Sequence, residues 1–173
     1  MRFVPAPTAA KLTGLSTDKL REWTSRRALV PADVRPKAKG SPAQFSWQTV
    51  LVLRIAVLLR EDFHLELQAH KASFRCLRTT LRSTSFIALW GRRLALAPGG
   101  QWTIADGDEA AARSILLIDL DPHLSVLRDG FALADASVMA GQLDLFTLPS
   151  TRGRPDQRGR APLSRPGRER RIA

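Results

Sequence analysis

The chain has 173 residues, with 27 Lys and Arg against 16 Asp and Glu, a formal net charge of +11, and 44% hydrophobic residues. That apolar content suffices for a globular core, while the single cysteine, Cys76, excludes an intrachain disulfide framework and points to a reducing compartment. The longest apolar run, residues 50–59, contains Arg54 and is about half the roughly 20 residues of a membrane helix, so a cytoplasmic protein with no membrane partner is expected. Charge is uneven along the chain: residues 1–82 carry a net +9, residues 83–149 a net −4, and residues 150–173 a net +6. The basic head and tail suit a polyanion, and the acidic middle does not. These boundaries give three expected units.

In chain order, Pro7-Thr8 begins a short helix to Leu12, and Gly14 stops it. Ser16 then caps a second helix, Thr17 to about Arg27. The three-residue link Gly14-Leu15-Ser16 forces the two helices to cross steeply, as in a helix-turn-helix whose second helix enters the major groove of DNA. Leu20 and Trp23 form the expected buried stripe, leaving Lys19 and Arg21 to project outward. Residues 29–45 are punctuated by Pro and Gly and carry Arg35, Lys37 and Lys39 around Gly40, which predicts a β-hairpin wing with a cationic tip. Ser46 caps a third helix, Trp47 to about Arg60, and a fourth is expected from about His64 to Arg82. Along that fourth helix Lys71, Arg75, Arg78 and Arg82 recur at helical spacing as one cationic stripe, a solvated face or a contributor to phosphate binding.

The stretch Ala10-Lys11-Leu12-Thr13-Gly14-Leu15-Ser16-Thr17-Asp18-Lys19-Leu20-Arg21-Glu22-Trp23 resembles the helix-turn-helix signature of the MerR family. Ala28-Leu29-Val30-Pro31 and Phe45-Ser46 follow in matching order, so that the resemblance spans residues 3–80. It implies a winged helix-turn-helix in which Thr17, Lys19 and Arg21 face the groove while Arg35, Lys37 and Lys39 hold phosphates. Three positions depart from the family pattern: Glu22 stands where a DNA-contacting tyrosine is common, Ala28 replaces a glycine, and Gln44 replaces a wing arginine.

MerR regulators usually dimerise through a long helix after the head, and no heptad pattern appears here. Residues 85–90, 94–97, 102–105 and 114–120 read instead as short strands, with a turn or two of helix at 108–113. The expected class is therefore α+β: a MerR-like winged helix-turn-helix (1–82), a small β-rich unit (83–149) and a disordered basic tail (150–173). A MerR-like head before a β-rich unit resembles regulators found as antitoxins, and exposed strand edges allow a homodimer.

Catalytic and metal readings find little support. Ile115-Leu116-Leu117-Ile118-Asp119-Leu120-Asp121 resembles the start of a haloacid-dehalogenase-type phosphatase, but Pro122 follows and residues 122–149 hold no lysine-plus-acid set to complete the site. His64, His70 and Cys76 are six apart, about 240° around a helix, and cannot converge on one ion from it. No catalytic residue, metal or cofactor is expected. Asp106, Asp108 and Glu109 read as turn and helix-start acids.

The most specific short signal is Gln142-Leu143-Asp144-Leu145-Phe146. It resembles at all five positions the peptide by which bacterial proteins dock on the replicative sliding clamp; the competing reading is a final amphipathic strand. The resemblance implies that the Gln142 amide bonds at a pocket rim while Leu145 and Phe146 fill an apolar cleft. Two functions remain from the sequence. One is a non-enzymatic, nucleoid-associated DNA-binding protein that acts on replication through the clamp, as a recruited factor or a blocking toxin of a toxin–antitoxin pair with its cognate partner. The other is a MerR-like transcriptional regulator or autoregulating antitoxin.

Overall fold

The computed structural model describes residues 2–36, 41–105 and 114–133. Its class is α+β, with helices packed against two small antiparallel sheets. Strand β1 (Phe3–Pro5) leads directly into helix α1 (Ala6–Thr13), which carries Pro7 in its first turn and ends at Gly14, whose φ of 76° only glycine adopts freely. After Leu15 and Ser16, helix α2 (Thr17–Arg21) begins with the Ser16 hydroxyl accepting from the Lys19 amide. The single helix expected to about Arg27 is shorter: from Glu22 to Arg26 the backbone widens into a π-turn, closed by the Arg27 amide donating to the Glu22 carbonyl at 2.8 Å.

Strand β2 (Gln44–Ser46) pairs with β1 and joins Val34 through an antiparallel bridge. The base of the expected hairpin is thus formed at residues 34 and 44; its tip, with Lys37 and Lys39, lies outside the described residues. Ser46 caps α3 (Trp47–Glu61) by accepting from the Thr49 amide. Residues 50–53, 55 and 56 of α3 are fully buried, so this helix is apolar on nearly all sides and forms the centre of the molecule.

The fourth helix starts later than the sequence suggested. His64 is left-handed at φ 53°, which breaks the helical path, and a 3₁₀ turn (Leu67–His70) then leads into α4 (Lys71–Arg82). Phe74, Leu77 and Leu81 are its buried face. Residues 85–90 are not the expected strand: Ile87–Leu89 is a 3₁₀ turn that buries Leu89 and sets Phe86 edge-on between Trp47 and Trp90, with ring centroids 5.2 and 6.3 Å away.

Strands β3 (Arg93–Leu96), β4 (Trp102–Ala105) and β5 (Leu116–Asp119) form an antiparallel sheet in the order β4-β3-β5, with Leu94 opposite both Ile104 and Ile118. Helix α5 (Asp121–Phe131) has no counterpart among the expected elements. Asp121-Pro122 opens it, and Leu124, Leu127 and Phe131 bury at spacings of three and four. It returns to pack on α1 and α3, so closely that a β-carbon at Gly130 would overlap the Leu12 side chain. One buried cluster consequently runs from Val4 through α3 and the sheet to Phe131.

Candidate nucleic-acid interface

Helix α2 is held by its inner face. Leu20 and Trp23 are buried, and the Thr24 hydroxyl donates to the Leu20 carbonyl at 2.8 Å. Beyond the π-turn, the amides of Leu29 and Val30 both donate to the Trp23 carbonyl, and Ala28 just before them adopts φ 46°. Left-handed backbone is costly for alanine, and the burial of Leu29 and Val30 immediately after it helps to offset that cost.

The outer face of α2 divides its polar residues between two flanks. On one flank Thr17 and Arg21, with Thr24 and Ser25 of the π-turn, line a cleft of about 340 Å³ together with Pro36, Ser41, Pro42 and Ala43 and the buried Leu20 and Phe45. The residues flanking the cationic loop therefore face the same cleft as Arg21. Arg35, next to Pro36, is exposed. On the other flank Lys19 is not free: its Nζ lies 3.4 Å from Glu22 Oε2, and Arg27 Nε meets Glu22 Oε1 at 2.6 Å. Desolvation works to raise the Glu22 pKa, but the hydrogen bond from Lys19 and the charges of Arg27 and Lys19 outweigh it and hold the carboxyl below its usual range. Of the three α2 residues singled out from the sequence, Thr17 and Arg21 come together and Lys19 is turned to an internal partner. The Lys19–Glu22 pair is an ordinary i,i+3 spacing, but the approach of Arg27 to Glu22 was not legible, because it depends on the π-turn.

The cationic stripe on α4 also has a different use. Lys71 Nζ donates to the Arg27 carbonyl at 3.1 Å, and Arg78 donates to the Pro31 carbonyl at 2.8 Å and to Asp33 Oδ1 at 2.6 Å. Arg82 approaches the same Asp33 oxygen at 3.5 Å. Three of the four cations thus tie α4 to the segment between α2 and β2, and only Arg75 points to solvent without such a tie among the described residues. Burial would raise the Asp33 pKa, yet the Ser46 amide, the Thr49 hydroxyl and Arg78 together lower it. Three members of the stripe thus take internal partners, a use that helical spacing alone does not reveal.

Behind this face, Arg54 on α3 donates to the Leu12 carbonyl at the end of α1 and, at 3.3 Å, to Nδ1 of His123 on α5. His123 is pushed down to about 4, first by burial and then by the Arg54 charge, against a smaller opposing effect of Asp119. It is therefore the neutral imidazole that accepts from Arg54.

No protein-family model matches the chain, and no curated protein matches it. Residues 142–146, which carry the clamp-peptide resemblance, lie outside the described residues, as do the basic residues after 150 and the acids at 106, 108 and 109.

Proposed function

We propose that the chain is a non-enzymatic protein that binds duplex DNA with α2 in the major groove and the 34–44 loop on the flanking backbone, in the manner of a MerR-like winged helix-turn-helix. The observation that carries this reading is the shared cleft, which Arg21 and Thr17 line together with residues on either side of the cationic loop tip. A groove-inserted helix and a phosphate-gripping wing need that adjacency. Two further features agree with it. Gly14 and Ser16 supply the tight turn between α1 and α2, and the position at which the resembled family carries glycine, Ala28, is left-handed.

Selection from a random duplex pool tests the assignment of roles. Arg21→Ala should relax the preferred sequence, whereas removing Arg35, Lys37 and Lys39 together should weaken all duplexes alike. Enrichment unchanged by Arg21→Ala would remove α2 from the reading surface.

Within this class, the five-position match at Gln142–Phe146 favours a protein brought to the replicative sliding clamp, acting on replication as a recruited factor or a blocking toxin. The alternative is a MerR-like transcriptional regulator or autoregulating antitoxin. Capture of the full chain by purified sliding clamp supports the replication reading; failure of that capture leaves the transcriptional one.

A further inference from the structure

We propose that Glu22 is an intramolecular stand-in for a DNA phosphate: it holds Lys19 and Arg27 in the unbound protein and so suppresses sequence-independent binding. This inference rests on the DNA-binding reading and adds to it a residue that sets specificity.

The arrangement depends on the backbone. In an α-helix, residues five apart are about 140° apart around the axis, and Arg27 would point away from Glu22. The π-turn, with its bond from the Arg27 amide to the Glu22 carbonyl, brings the two onto one flank. Lys71, donating to the Arg27 carbonyl, then ties that residue's backbone to α4. Glu22 receives one cation on each carboxylate oxygen, 3.4 Å from Lys19 and 2.6 Å from Arg27. A phosphate offers its oxygens in a similar spread, and it is the group that such a cation pair would otherwise take.

The consequence follows from charge. With Glu22 in place the trio carries a net +1 rather than +2, and a phosphate that approaches Lys19 or Arg27 must displace a carboxylate that repels it. Nonspecific DNA affinity comes almost entirely from such phosphate contacts, so these two cations add little to it. Arg21, on the cleft flank of the same helix, is outside the trio. Sequence-dependent contacts made on that flank are unaffected by Glu22, and the ratio of specific to nonspecific affinity rises.

The test compares the full-length wild type with Glu22→Gln on a short random-sequence duplex, by fluorescence anisotropy across a salt series. Gln keeps the shape of the side chain and removes the charge. We expect Glu22→Gln to bind roughly tenfold more tightly near physiological salt, with a salt slope steeper by about 1–2. We also expect Lys19→Ala to weaken binding more in the Glu22→Gln background than in the wild type. Equal or weaker binding by Glu22→Gln, while the wild type binds, overturns the role of Glu22 and leaves the DNA reading standing. Binding by neither protein overturns the DNA reading itself. Thermal melting of the variant close to that of the wild type is expected, because exposed ion pairs contribute little to folding.

Discussion

Arg78 reaches across 45 positions of the chain to place one guanidinium nitrogen 2.6 Å from Asp33, and both side chains are largely buried. The same carboxylate accepts from the Ser46 amide at 2.7 Å, the residue that caps α3. Asp33 thus fastens the base of the 34–44 loop to two helices at once. Asp33→Ala should lower the unfolding free energy by about 2–3 kcal/mol, because it leaves the Arg78 charge buried without its partner. Chemical denaturation measures this, and a loss below about 0.5 kcal/mol, the size of an ordinary surface substitution, would contradict it.

Ala28 offers a change in the opposite direction. Its φ of 46° is unfavourable for a residue with a β-carbon, and glycine relieves that cost at the expense of a more flexible unfolded chain. Ala28→Gly should raise stability by about 1 kcal/mol, read as a higher denaturation midpoint with an unchanged slope. A decrease would mean that the turn is not strained.

The pH dependence of stability should report on His123. Its folded pKa of about 4 lies below the ordinary value of 6.5, so the unfolded chain binds more protons between those limits. The stabilisation is complete above pH 6.5 and is lost as pH falls towards 4. Allowing for partial solvent screening, the loss is on the order of 2 kcal/mol. His123→Gln should flatten the curve in that window. The carboxylates Asp33 and Glu22, whose pKa values are lowered, act in the more acidic range, so they do not produce the same window. A wild-type curve already flat from pH 4 to 6.5 would contradict the neutral, buried assignment.

The pentapeptide carries its own test. Gln142→Ala with Leu145→Ala and Phe146→Ala should abolish capture by the sliding clamp and leave the melting curve unchanged. If the segment were instead a core strand, the same changes would cost several kcal/mol. A collapsed melting curve would therefore remove the clamp reading.

Much of the head was legible because its signals are local. Gly14, Ser16 and Ser46 mark helix ends by backbone and side-chain chemistry that acts within three or four residues, and the helices start and stop there. The elements that were missed depend on distant partners. The 3₁₀ turn at Ile87–Leu89 is set by Phe86 fitting between Trp47 and Trp90. Helix α5 carries one local signal, Pro122, which suits the first turn of a helix as well as it breaks a strand, and packing against α1 and α3 decides between the two. In the interface, the cationic spacing of α4 was visible, but nothing in it distinguishes a phosphate track from a clasp on Asp33, Pro31 and Arg27. That distinction requires the fold.

Binding of duplex DNA by the full chain as salt is raised is the most direct test of the central claim. The full chain is the right object, since α5 packs on α1 and α3 and a truncated head would lose that support. From 50 to 200 mM salt, the logarithm of affinity should fall linearly against the logarithm of salt concentration with a slope of about −3 to −5, and Arg21→Ala should weaken binding roughly tenfold. Absence of binding at the low-salt end, affinity indifferent to salt, or an Arg21→Ala variant that binds like the wild type would contradict the account.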